Sequence, residues 1–208
     1  LTISNPDRFL LQSHFKTDFK DDIFLFVNVD MNSSKATDIQ FEKNIYHGKN
    51  AWLYDANTGK RFLLPMTNGK LHLNLGPSET WIVVLNSAKK GETYQYIPDS
   101  VEKSVSPDHW ELTLKHSFEN WTKDTVMDTL VDLKETSFDK FMGTIEYKTT
   151  FVATSTNLPH YIDLGKVCEI AELTVNGIPC GTKWYGRRVF DIQPYVKEGE
   201  NEISVKVV

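Results

Sequence analysis

Apolar and polar residues alternate with a period of two along most of the chain, and the 3.6-residue spacing of an amphipathic helix is nearly absent. In the first half, the run Ile23-Phe24-Leu25-Phe26-Val27-Asn28-Val29 breaks the alternation and predicts a central strand buried on both faces. Ala36 to Phe41 and Ala51 to Tyr54 predict shorter strands, and Asn57-Thr58-Gly59 reads as a turn before Arg61 to Leu64. Leu71-His72-Leu73-Asn74-Leu75 alternates cleanly, Gly76-Pro77-Ser78 interrupts it, and Thr80 to Leu85 predicts another buried strand. Roughly seven short strands separated by Gly, Pro and Asn predict a β-sandwich over residues 1–100.

The pattern lapses after residue 87. Lys89-Lys90-Gly91-Glu92 and the span from Pro98 to Pro107 are polar and turn-rich, which predicts a domain boundary near residue 100, with Thr93 to Ile97 as a candidate edge strand of the first module. Alternation resumes at Trp110 to Leu114, Met142 to Phe151, Tyr161 to Leu164, Val167 to Val175, Ile178 to Trp184, Val189 to Ile192 and Ile203 to Val207. This density of strands predicts a jelly roll over residues 101–208. The polar stretch from 124 to 140 predicts a loop or a short helical turn. Asn176-Gly177 is the favoured dipeptide of a two-residue type I′ hairpin turn, so Val175 should face Ile178 and Cys180 should face Leu173. The apolar phase slips between Ile170 and Ala171, a candidate β-bulge. The chain is thus expected to be all-β, with two sandwich modules.

An apolar fraction of 40% with 25% charged residues is that of a folded, water-soluble chain. A net charge of −5 and no basic run longer than Arg187-Arg188 argue against nucleic acid as a partner. No apolar run reaches the roughly 18 residues of a membrane helix, so no membrane partner is expected. Opening at Leu1 and stopping at Val208 inside a strand pattern, the chain reads as a piece of a larger one. In the expected hairpin, Cys168 and Cys180 are roughly 16 Å apart along the strands, far beyond disulfide reach, so both are expected reduced.

Glycoside hydrolysis needs two carboxyl groups roughly 5 to 10 Å apart, one protonated and one ionised. Glu111, Glu146, Asp163 and Glu172 instead alternate with apolar residues and are expected to face solvent. The six histidines show no zinc-ligand spacing, and no G-x-S-x-G nucleophile elbow occurs. No cofactor is expected, although the oxygen-rich stretches at Asp21-Asp22 and Asp124 to Asp132 leave a structural calcium ion open. No catalytic residue and no metal ligand is assigned.

Sugar recognition combines an aromatic face with Arg, Asn or Asp groups that bond hydroxyls. The run Trp184-Tyr185-Gly186-Arg187-Arg188, between two predicted strands, fits best. In the expected hairpin Trp184 shares a face with Ile178 and Cys180, which favours a core role and leaves Tyr185 the freer ring. Trp52, Trp81 and Trp110 sit in apolar alternation and should be core, while Trp121 lies in a polar stretch. The candidate carbohydrate-binding residues are therefore Tyr185, Arg187, Arg188, Trp184 and Trp121.

The order Tyr161-Ile-Asp-Leu-Gly165, Ala171-Glu-Leu-Thr-Val-Asn-Gly177, Gly181-Thr-Lys-Trp184, Phe190-Asp-Ile192 and Gly199-Glu-Asn201-Glu-Ile203 is similar to the galactose-binding-like, or sugar-binding, domain of glycoside hydrolase family 2. With Trp110 to Leu114, Phe141 to Tyr147, Asp22 to Asn28, Trp52 to Asp55, Thr58-Gly59 and Leu75-Gly-Pro77, nearly the whole chain resembles the region after the catalytic barrel in family 106 α-L-rhamnosidases. The resemblance implies a non-catalytic accessory or carbohydrate-binding region of a glycoside hydrolase acting in polysaccharide degradation. It implies an upstream catalytic domain of the same parent chain as partner, and a periplasmic or extracellular bacterial setting. Two alternatives stay open, an autonomous carbohydrate-binding module and part of a family 2-like β-galactosidase or β-glucuronidase.

Overall fold

A computed structural model describes residues 1–56, 58–97, 107–167 and 170–208. Its chain divides into two compact units, Leu1–Pro98 with Tyr185–Arg187 and Asp99–Trp184 with Arg188–Val208. The boundary expected near residue 100 and the position of Cys168 lie outside the described residues, as does Asn57 of the Asn-Thr-Gly turn.

In the first unit, β1 (Thr2–Ile3), β2 (Leu10–Lys16), β3 (Asp22–Asn28) and β4 (Lys35–Gln40) precede a single helical turn, α1 (Lys43–Tyr46). Then follow β5 (Asn50–Tyr54), β6 (Arg61–Leu64), β7 (Met66–Thr67), β8 (Lys70–Leu75) and β9 (Thr80–Asn86). A five-stranded sheet, β2-β3-β9-β5-β6, and a four-stranded sheet, β1-β4-β8-β7, enclose one core. The antiparallel register explains which residues enter it. Phe24 lies opposite Val83, Phe26 opposite Trp81 and Ala51 opposite Leu85, and Ile39, Leu71, Leu73 and Leu75 answer from the second sheet. The sandwich expected here is the sandwich found.

Strand β3 departs from expectation. Its inner residues Phe24, Phe26 and Asn28 are buried, whereas Ile23, Leu25 and Val27 on the outer face remain half-buried. Thr93 makes only an isolated parallel bridge to Leu63, so Thr93 to Ile97 is not an edge strand; Tyr94 and Tyr96 pack instead against the core.

The second unit is built from β10 (Trp110–His116), β11 (Thr122–Met127), β12 (Gly143–Ala153), β13 (Tyr161–Asp163), β14 (Ala171–Val175), β15 (Ile178–Lys183), β16 (Val189–Asp191) and β17 (Gly199–Val207). Six of these strands form one sheet in the order β11-β10-β12-β17-β14-β15, and β13 pairs with β16. Row by row, Leu112, Tyr147, Val205 and Leu173 lie abreast, as do Leu114, Ile145, Val207 and Ala171. Phe190 and Ile192 pack against one half of this apolar face, and Leu133, Phe138 and Phe141 against the other. The stretch 124–140 is not all loop: Thr122–Met127 is an edge strand on β10, and a 3-10 turn follows at Leu133–Glu135. Among the described residues no helix is long and apolar enough to cross a membrane.

The β14–β15 hairpin closes as expected, with Val175 opposite Ile178 and positive φ at both Asn176 (51°) and Gly177 (77°). A Cβ at Gly177 would meet no neighbour, so any penalty there is conformational alone. Gly177→Val is expected to lower stability by on the order of 1–2 kcal/mol in a urea melt. An unchanged melt would contradict a left-handed residue at this turn.

Two residues beyond the turn the register shifts. Thr174 faces Pro179 but Leu173 faces Gly181, so Cys180 is the extra residue of a bulge and does not face Leu173. The disruption lies there, between Leu173 and Thr174, and not at Ile170-Ala171. Gly181, at φ 127°, occupies backbone space that other residues rarely adopt.

Candidate carbohydrate-contacting residues and the charged clusters

The bulge decides the fate of Trp184. A one-residue insertion reverses which face every later residue occupies, so Trp184 turns away from the buried Leu173 and Ala171 row and is 61% exposed. The core role expected for this ring is therefore corrected, and Trp184 becomes the more accessible aromatic. Tyr185 is half-buried, as are Arg187 and Arg188. Burial pulls the Arg188 guanidinium below its usual range.

The five-residue run does not belong to one compact unit. Tyr185–Arg187 group with the first, and Trp184 and Arg188 with the second. Within the first unit the Gly186 N–H donates to the Pro77 carbonyl at 2.9 Å. Gly76 has no side chain for a close-packing reason, since a Cβ there would come within 2.3 Å of the Arg187 nitrogen. Glu79 sits beside this turn and accepts the Trp81 Nε1–H at 3.1 Å.

Trp121 closes the loop that joins β10 to β11. Its ring is 5.1 Å from His116 and 5.8 Å from Phe141, and its Nε1–H donates to Glu119 at 2.8 Å. It packs on the Leu112, Leu114 and Ile145 cluster, so it is part core and part rim. The hairpin tip also carries Phe118, 80% exposed and 6.4 Å from His116, an aromatic that the sequence did not single out. Its signal was an isolated Phe between polar Ser117 and Glu119.

Among the described residues, four carboxyl groups have displaced pKa values, and all four are displaced downward. Backbone N–H donation from Phe9 and the Lys35 ammonium hold Asp7 low; Asn32 N–H and Lys35 do the same for Asp30. Lys70 and His72 lower Asp38. For Asp22, burial pushes upward, but hydrogen bonds from Lys49 and His14 outweigh it. His14 stacks on Phe24 with ring centres 4.2 Å apart and bonds Asp22 Oδ1 at 2.8 Å; the neighbouring cavity, of about 280 Å³, is lined by Leu1, Gln12, Ser13, His14, Phe24 and Ile45.

Glu111, Glu146 and Glu172 occupy the outer face of the six-stranded sheet and Asp163 is exposed on β13, as expected. Glu146 pairs with Lys148 at 3.4 Å and Glu172 with Lys206 at 3.1 Å. No group of three or more metal-ligating side chains occurs among the described residues. Asp124, one of the oxygen-rich positions, lies on β11 and accepts from Thr113 at 2.8 Å.

The fold matches that of a rhamnosidase from Novosphingobium sp. PP1Y, with a TM-score of 0.72 at 21% identity over 100% of this chain and 20% of that one. The resemblance to a rhamnosidase region stands at the level of fold. No family model matches the sequence. A curated protein of Formosa agariphila described as "Putative beta-glucuronidase" is 41% identical over 71 residues, which is 32% of this chain and 6% of that protein. The chain therefore spans about a fifth of the rhamnosidase, and its match to the Formosa protein covers a far smaller share. Both comparisons are with glycoside hydrolases, and the chain is related to that context.

Proposed function

We propose that this chain is a non-catalytic accessory region of a larger, rhamnosidase-type glycoside hydrolase that degrades polysaccharide. The observation that carries the reading is the match of the whole chain to a fifth of a rhamnosidase. The charged groups support it. A glycosidase acid must hold its proton near neutral pH, which requires a raised pKa. Every displaced carboxyl among the described residues is instead held ionised by a cation or an N–H donor. The setting that fits such a parent is periplasmic or extracellular, and the partner is the catalytic domain of the same polypeptide.

The 208-residue chain is expected to release no aglycone from aryl α-L-rhamnosides, β-galactosides or β-glucuronides. Turnover that vanishes when one Asp or Glu becomes Ala would overturn the reading.

A second reading, an autonomous carbohydrate-binding module, is favoured by the exposure of Trp184 and Phe118. On the accessory reading, sugar binding is at most millimolar, roughly 4 kcal/mol. Tight binding by titration calorimetry, lost on Trp184→Ala or Tyr185→Ala, would favour the module.

A further inference from the structure

The two large sheets present very different outer faces. On the six-stranded sheet the outward rows are Glu111, Lys148, Ser204 and Thr174, then Thr113, Glu146, Lys206 and Glu172. Charges of both signs pair there, Glu146 with Lys148 along β12 and Glu172 with Lys206 across strands, the composition of a sheet face turned to water. On the five-stranded sheet the corresponding rows are Leu11, Val27 and Thr80, then Ser13, Leu25, Ile82 and Tyr54, then Phe15, Ile23, Val84 and Trp52. No ionisable group stands on this face of β2, β3 or β9.

Part of that apolar face is already closed. Trp52 and Val84 are fully covered, the indole with Gly91 against its ring and the Arg61 guanidinium 4.9 Å from the ring centre. The remainder is open: Leu11 is 51% and Phe15 55% exposed, and Ile23, Leu25, Val27 and Ile82 are half-buried. Contiguous apolar surface of this kind, without charges at its centre, is the composition of an interface core. The sequence of β3 says the same, because five successive apolar residues from Ile23 to Val27 suit a strand covered on both sides.

We propose that this face, Leu11, Phe15, Ile23, Leu25, Val27 and Ile82, is buried against an apolar surface of another domain of the same, longer polypeptide. The proposal rests on the accessory reading above. Its occupant follows from length: the whole chain corresponds to 20% of the matching rhamnosidase, so most of such a polypeptide lies outside this structure. A covalently linked neighbour meets the face at high effective concentration, which lets a modest apolar patch stay closed. The other sheet needs no cover and keeps its charges in solvent.

The test uses Ser13→Cys, at the centre of the open face, and Leu11→Cys as a second position. Maleimide labelling of each thiol is followed in the 208-residue chain and in the full-length polypeptide, with peptide mapping to separate it from Cys168 and Cys180. Labelling in the full-length polypeptide is expected to be slower by at least about tenfold, because access then requires the interface to open. Equal, fast labelling in both forms overturns the proposal. Slow labelling in both overturns it as well, since the face is then closed by a second copy or by the chain itself. So does a gene that encodes no other domain. Fast labelling within an active parent removes only the docking face, whereas glycoside turnover by the 208-residue chain removes the accessory reading beneath it.

Discussion

Replacing Asp22 by Asn should destabilise the first unit by about 3 kcal/mol at neutral pH. The Asp22 side chain is 3% exposed and begins β3, with its carboxylate between the His14 imidazole and the Lys49 ammonium. Lys49 also donates to the Lys20 carbonyl at 2.8 Å, so its position is fixed from two sides. Asparagine retains one acceptor oxygen but leaves the ammonium without a counter-charge in a poorly solvated place, and that uncompensated charge dominates the loss. The pH dependence has a definite sign. Asp22 is held below its ordinary value in the folded state, so the unfolded chain takes up the proton first as pH falls. Its contribution is fully present above the unfolded value and is lost as pH drops below about 5 and through the lower folded value. The stability gap between wild type and Asp22→Asn should therefore narrow between about pH 7 and about pH 3. Urea unfolding at both ends checks this, and a constant gap would rule out an ion-pair origin.

The strands that the sequence revealed are those with one dry and one wet face and those, like Asp22–Asn28 and Thr80–Asn86, that carry a continuous apolar run. Leu71 to Leu75 and Trp110 to Leu114 alternate because each faces a core on one side and water on the other. The two long strands that it missed are edge strands whose environments are mixed. In β2, Leu11 and Phe15 are apolar yet exposed, while Gln12 and His14 point toward the core side near an open end, so no period of two survives. In β11 nearly every side chain is polar, so the strand is held by backbone pairing to β10 and a few side-chain contacts, Asp124 to Thr113 and Met127 on the core, rather than by an apolar face. The Asn-Gly turn was legible because its chemistry is local.

Within the candidate run, the direction of Trp184 was misread. One inserted residue at Cys180 reverses Trp184 relative to the expected hairpin, and a bulge leaves little trace in an alternating pattern when its extra residue is a small apolar one. Sequence spacing also could not show that Tyr185–Arg187 and its neighbours Trp184 and Arg188 fall in different units. The charged clusters were hidden for another reason: His14 and Lys49 meet Asp22 only through pairing and chain return, not through proximity in sequence.

Asn201→Ala should be equally damaging, with an expected loss of about 3 kcal/mol or more from the second unit. Asn201 is fully buried on β17, inside the Gly199 to Ile203 stretch that carries part of the family resemblance. Its amide nitrogen donates to the carbonyls of Lys197 and Gly199 at 2.8 and 2.9 Å. Its oxygen accepts the Lys197 N–H and the Asn176 side-chain amide, both at 2.8 Å. Asn176 in turn donates to the Tyr195 carbonyl at 2.9 Å and accepts the Glu202 N–H at 3.1 Å. The two asparagines thus bolt the turn before β17 to the β14–β15 hairpin. Alanine removes all four of these hydrogen bonds at once, and each polar group left dry carries a desolvation penalty of roughly 1–3 kcal/mol, relieved where water can enter. Aspartate should rescue little, because a carboxylate would face the Lys197 and Gly199 carbonyls with no proton to donate. The double variant Asn176→Ala with Asn201→Ala should lose clearly less than the sum of the singles, since the first change already breaks the shared bond. Strict additivity in the cycle, measured by chemical denaturation, would show that the two asparagines act separately and that the hairpin does not depend on this link.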